Sequence, residues 1–153
     1  QVAVLGTGDF TFENAIGDFA YNHPENFAAR ITFNEKLSRR FYAGADVFLM
    51  PSEFEPCGLA QMISMRYATL PLVRETGGLK DTVAGYWDAG ENADGFSFKD
   101  FDVNGLRTTV DLALDLWFEH RDVWAKLQHN ALNKNFGWEE SAEKYRELYD
   151  SLF

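Results

Sequence analysis

The stretch Val47–Val83, VFLMPSEFEPCGLAQMISMRYATLPLVRETGGLKDTV, decides the fold. It opens on a short apolar run, Val47-Phe48-Leu49-Met50, of a length that suits one buried strand. Pro51 and Ser52 end that run, and the loop Glu53-Phe54-Glu55-Pro56-Cys57-Gly58 follows. Leu59 to Tyr67 is rich in Leu, Ala, Gln and Met and lacks Gly and Pro, which predicts a helix. Leu70 to Val73 is a second apolar run, and the loop Thr76-Gly77-Gly78 leads into a second helix at Leu79. Strand, loop, helix, strand, loop, helix is the grammar of a parallel α/β fold.

In such a fold both loops leave the carboxyl edge of the sheet, where helices begin. Helix N-termini present unpaired N–H groups and partial positive charge. Gly58, Gly77 and Gly78 let the backbone approach a ligand closely. Two such loops side by side suit a phosphate or diphosphate. Glu55 in the first loop would repel phosphate, so it fits better as an acceptor of hydrogen bonds from hydroxyl groups. A diphosphate beside a hydroxyl-bearing group is the chemistry of a nucleotide sugar.

The wider composition agrees. The chain has 153 residues, one domain's worth, with 46% hydrophobic and 16% aromatic residues, which excludes a disordered chain. A net charge of −10 disfavours nucleic acid and anionic membrane as partners. The single cysteine, Cys57, excludes an internal disulfide and fits a reducing compartment. Cys57 reads as a small residue in a tight loop rather than a nucleophile, since no histidine is near it in sequence. His23, His120 and His129 fall in surface segments without metal-ligand spacing, so no metal site is expected. No membrane span or signal peptide is visible. The chain starts at Gln1 directly before a strand, as a piece of a longer protein would.

Outward from the central stretch, Val2 to Leu5 reads as a strand ending at Gly6-Thr7-Gly8-Asp9. A dinucleotide fingerprint would place a third glycine where Thr11 stands, which weakens a dehydrogenase reading. Residues 12–21 predict a helix, 29–33 a strand, and 35–42 a helix capped by Asn34. Residues 86–94 predict a polar loop and 95–98 a short strand. A helix over 104–119 would bury Leu106, Val110, Ala113, Leu114 and Trp117. Further helices are expected over 121–133 and 139–152. Arg39, Arg40, Arg66 and Arg74 are local cations for which a solvated or structural role is expected.

These residues resemble bacterial glycogen synthase and plant starch synthase, retaining glucosyltransferases of two-domain GT-B architecture. The resemblance rests on Phe54-Glu55-Pro56-Cys57-Gly58-Leu59, Arg66-Tyr67, Leu70-Pro71-Leu72-Val73 and Thr76-Gly77-Gly78-Leu79 with Asp81-Thr82-Val83. Flanking support comes from Gly6-Thr7-Gly8-Asp9, Tyr42-Ala43-Gly44-Ala45-Asp46, Asn92-Ala93-Asp94-Gly95-Phe96, Trp138 and Tyr145-Arg146-Glu147-Leu148-Tyr149. It implies a Rossmann-like parallel sheet with flanking helices, the donor-binding C-terminal half of such an enzyme. The implied reaction transfers glucose from ADP-glucose or UDP-glucose to an α-1,4-glucan with retention, without cofactor or metal. By this resemblance Glu55 contacts the donor sugar, and Gly58, Leu59, Ala60, Thr76, Gly77, Gly78 and Leu79 hold the diphosphate, mostly through backbone N–H groups. Phe33 would stack on the base. Many GT-B enzymes carry a second glutamate eight positions after the first; Ile63 stands there, which puts ribose contact by that position in doubt. The implied location is the bacterial cytoplasm or the plastid stroma.

The same resemblance implies an acceptor-binding domain N-terminal to this region, so the 153-residue chain alone is expected to lack turnover. It also implies six parallel strands in the order 3-2-1-4-5-6. Val2–Leu5 would be the second, 29–33 the third, Val47–Met50 the fourth, Leu70–Val73 the fifth and 95–98 the sixth. The first has no counterpart in the sequence. Its slot would be closed by direct pairing of Val2–Leu5 with Val47–Met50, by a strand of a second chain, or by upstream protein. A homo-oligomer and a nucleotide-binding module without catalysis are left open.

Overall fold

The computed structural model describes residues 1–152 and divides into two compact units, Gln1–Ala45 and the remainder from Asp46. The first unit holds β1 (Val2–Gly6), α1 (Phe10–Asn22), β2 (Phe27–Ile31) and α2 (Glu35–Gly44). β1 and β2 are parallel, in register from Val2 opposite Phe27 to Gly6 opposite Ile31. The second strand thus lies two residues earlier than expected. The turn after α1 is short, and Val2 donates to the Asn26 carbonyl at 2.8 Å, which sets the register early. A shift of two leaves the inward and outward faces unchanged. Asp9 caps α1 by accepting from the Thr11 N–H at 2.8 Å, and Asn34 caps α2 through the Leu37 N–H at 2.9 Å.

The second unit holds β3 (Val47–Met50), α3 (Ala60–Arg66), β4 (Leu70–Arg74), α4 (Gly77–Thr82), α5 (Tyr86–Ala89), a 3₁₀ turn (Gly90–Asn92) and β5 (Phe96–Phe98). Helices α6 (Val103–Glu119), α7 (Arg121–Asn133) and α8 (Trp138–Asp150) follow. The sheet is parallel in the order β3-β4-β5. The central strand β4 is buried along Leu70–Val73, as expected for a strand with helices over both faces. The orders within the two sheets, β2-β1 and β3-β4-β5, agree with the 3-2 and 4-5-6 portions of the expected arrangement. Within the first unit β1 pairs with β2, and within the second β3 pairs with β4.

The expected polar loop over 86–94 instead contains α5 and the 3₁₀ turn, because Gly85 accepts from the Ala89 N–H at 3.0 Å and closes a helical turn. Helix α6 starts at Val103, capped by Asp102 rather than begun by Asn104: the Asp102 carboxylate accepts from the Gly105 N–H at 2.7 Å. Its buried side chains are Thr109, Ala113 and Leu116, whereas Leu114 is 49% exposed and off the buried stripe. The core joins Met65, Leu70, Leu72, Leu79, Phe96, Leu116, Trp124 and Leu127. Trp124 lies at 5.8 Å from Phe96 and 5.1 Å, edge-on, from Trp117. Burying one such side chain contributes about 1.5–3 kcal/mol. No helix among the described residues is long and apolar enough to cross a membrane.

Candidate functional site

β3 and β4 are adjacent and parallel, so the loops that follow them leave the sheet at one edge. The two loops touch through backbone. The Gly78 N–H is shared between the carbonyls of Glu55 at 3.1 Å and Pro56 at 3.2 Å. A Cβ on Gly78 would fall 2.0 Å from the Cys57 carbonyl oxygen, and one on Gly77 2.1 Å from that of Glu55. Gly77 also has φ +43, a left-handed conformation that favours glycine. Both positions therefore require glycine for close approach of one loop to the other.

Side chains complete the attachment. The Arg74 guanidinium at the end of β4 donates to the carbonyls of Glu53 at 2.6 Å and Ser52 at 3.4 Å. That is the structural role expected of the arginines. Arg66 likewise donates to the Leu132 carbonyl, and Arg39 pairs with Glu35. Gln61, fully buried in the first turn of α3, donates from Nε2 to the Gly58 carbonyl at 2.9 Å and the Thr82 hydroxyl at 3.0 Å. The Thr82 hydroxyl in turn donates to the Gly78 carbonyl.

This packing determines which groups remain available. The Glu55 carboxylate is half-buried and accepts no hydrogen bond among the described residues. The N–H groups of Gly58, Leu59, Ala60 and Gly77 likewise have no acceptor among them. The N–H of Thr76 donates to Arg74 and that of Leu79 donates back to Thr76 at 3.1 Å. The Gly78 and Leu79 N–H groups therefore shape the loops. Of the residues expected at the diphosphate, Gly58, Leu59, Ala60 and Gly77 therefore carry N–H groups without a protein acceptor among the described residues, while those of Thr76, Gly78 and Leu79 have one.

Other sequence candidates are placed as follows. Phe33 lies two residues past the end of β2 and is 88% exposed. Ile63 is exposed on α3 and lines an open groove with Leu59, Met62, Arg66 and Phe136; its side chain can accept nothing from a hydroxyl. Cys57 is exposed, and so are all three histidines. No group of three or more His, Cys, Asp or Glu side chains that could hold a metal ion occurs among the described residues. In the first unit, the Gly8 N–H is occupied by the Glu13 carboxylate at 2.8 Å. A negative group already sits at that glycine turn, which opposes a dinucleotide phosphate there.

Gln61 was not singled out by the sequence, and Thr82 stood there only within the Asp81-Thr82-Val83 motif. The usable signal was a polar residue on the face shared with Ser64 and Met65, at the spacing that faces a core.

No protein-family model matches the chain. It is 46% identical over all 153 residues to a glycogen synthase of Desulfitobacterium hafniense, covering 33% of that protein. It is 45% identical over 152 residues to one from Streptococcus mutans, covering 32% of it. The chain thus spans about a third of the length of the curated relatives it matches. Among solved structures, the catalytic domain of starch synthase IV from Arabidopsis thaliana, bound to ADP and acarbose, superposes with TM-score 0.84 at 31% identity. That match covers 97% of this chain and 31% of the plant chain. Sucrose-phosphate synthase from Thermosynechococcus elongatus, at TM-score 0.66 and 23% identity, shares the fold. Sequence and fold together make this chain the homologue of about a third of the length of glycogen and starch synthases, with their GT-B type of fold.

Proposed function

We propose that the chain is the donor-binding part of a glycogen or starch synthase that transfers glucose from a nucleoside-diphosphate glucose to an α-1,4-glucan with retention. The observation that carries this reading is the fused pair of loops after β3 and β4. Their contacts consume the Gly78 and Leu79 N–H groups and leave the Glu55 carboxylate and the N–H groups of Gly58, Leu59, Ala60 and Gly77 uncommitted.

Backbone N–H groups held in advance stabilise negative charge as it develops on a leaving diphosphate, and they cost no reorganisation during the reaction. This suits an acidic chain whose nearby Arg74 donates from Nη1 to the carbonyls of Glu53 and Ser52. Glu55 would accept from hydroxyls of the glucose and fix the ring relative to the leaving group. Retention through an ion-pair-like transition state then requires no protein nucleophile, and none is assigned. ADP-glucose is favoured over UDP-glucose, since the starch synthase of the same fold was solved with ADP.

Calorimetric titration of the purified chain with ADP-glucose, UDP-glucose and NAD tests the reading. Saturable binding of a nucleotide sugar without NAD binding is expected. Binding of NAD alone, or of no nucleotide, would overturn it.

A further inference from the structure

We propose that Gln61 and Thr82 are positioning residues of the donor site, a two-residue clamp that holds the Glu55–Ala60 loop on α4; this rests on the donor-binding reading above. Gln61 is fully buried, yet its amide group bonds outward into the loops rather than packing as a hydrocarbon would. Nε2 donates to the carbonyls of Gly58 at 2.9 Å and Cys57 at 3.3 Å, the two residues that lead into the uncommitted N–H groups of Leu59 and Ala60. It also donates to the Thr82 hydroxyl at 3.0 Å, and that hydroxyl donates to the Gly78 carbonyl. Gly78 closes the circuit by donating its N–H to the Glu55 carbonyl at 3.1 Å. The circuit runs through both loops and both helices, and it brackets Glu55 and Gly58 from opposite sides.

A second observation separates this role from simple packing. The Gln61 Oε1 atom is buried and has no hydrogen-bond partner among the described residues, which is costly for a polar atom. Leucine would fill much the same space without that orphan. The fold keeps glutamine where an apolar residue would bury more cheaply, and what glutamine supplies in return is the Nε2 donor set. A Cβ on Gly58, itself at φ +74, would meet Oε1 at 2.5 Å, so the loop is seated directly on this amide.

The test uses Gln61→Leu, Thr82→Val and the double variant in the full chain, with ADP-glucose as ligand. Gln61→Leu removes the orphan but also leaves the Gly58 and Cys57 carbonyls without their side-chain donor, so a modest loss of thermal stability is expected while affinity falls about tenfold. Thr82→Val should weaken binding about threefold, and the double variant should be no worse than Gln61→Leu, because both act through one circuit. Amide exchange in the unliganded variants should rise over residues 57–60 and stay unchanged in β4. Wild-type affinity and wild-type exchange in Thr82→Val would overturn the clamp, and this holds even if Gln61→Leu fails to fold. A wild-type chain that binds no nucleotide would sink the donor reading instead, while the exchange measurement still judges the clamp.

Discussion

Gly78 donates its backbone N–H to the Glu55 carbonyl at 3.1 Å, and its α-carbon leaves no room for a methyl group against Cys57. One loop of the site is therefore the seat of the other. The Glu55 carboxylate is held by its own main chain, fixed from the neighbouring strand's loop, rather than by partners of its side chain.

Gly78→Ala should consequently force the two loops apart. A Cβ at 2.0 Å from a carbonyl oxygen has no small adjustment that relieves it. The expected cost is about 2–3 kcal/mol of stability, with loss of nucleotide binding. Gly8→Ala is the control, since nothing lies within 4 Å of its Cβ position. Thermal denaturation and nucleotide titration of both variants would check this; equal behaviour of the two would contradict it.

Glu55→Ala in an intact synthase carrying this chain should lower turnover by about a hundredfold while ADP affinity stays within about threefold. The carboxylate is assigned to the sugar and the backbone N–H groups to the diphosphate. Collapse of ADP affinity with turnover near wild type would show the assignment to be wrong.

Lys134→Met should destabilise the second unit by about 2 kcal/mol. Lys134 pairs with the Asp94 carboxylate, which is buried, and donates to the Thr82 carbonyl at 2.7 Å. Removing the ammonium leaves Asp94 with the Ala84 N–H at 2.8 Å and no counter-charge among the described residues. Adding Asp94→Asn to Lys134→Met should recover part of the loss. A neutral Lys134→Met in chemical denaturation would refute the pairing's importance.

Ala68→Gly should stabilise the chain by about 0.5–1 kcal/mol. Ala68 ends α3 at φ +59, where the Thr69 N–H reaches back to the Ser64 carbonyl at 3.0 Å. Glycine adopts that conformation without the clash of a Cβ. A lower melting temperature for the variant would contradict this.

Much of the fold was legible because strong local signals coincide. The run Val47–Met50, the helix of Leu59–Tyr67 and the run Leu70–Val73 fall within one or two residues of β3, α3 and β4. Asn34 was legible as a cap because its short side chain reaches its own helix. The start of α6 was read at 104 rather than Val103, because the Asp102 cap depends on where the chain leaves β5. Leu114 looked apolar enough to be core, but helix α6 turns it off the stripe that Thr109, Ala113 and Leu116 occupy. Within the site, Glu55 and the glycines were visible as residue types at a strand edge. Which N–H groups remain available was not, because that depends on the contact between Gly78 and Glu55, 23 positions apart in the numbering. Gln61 stayed hidden for a similar reason: its partner Thr82 is 21 residues away.

The central claim is that the donor diphosphate rests on the uncommitted N–H groups of the two loops, and amide NMR of the labelled chain during an ADP-glucose titration tests it most directly. The expected result is saturable shifts at Gly58, Leu59, Ala60 and Gly77 that exceed those at Gly8 in the first unit's glycine turn. Saturable binding with the largest shifts at Gly8 and its neighbours, and none at Gly77, would contradict it.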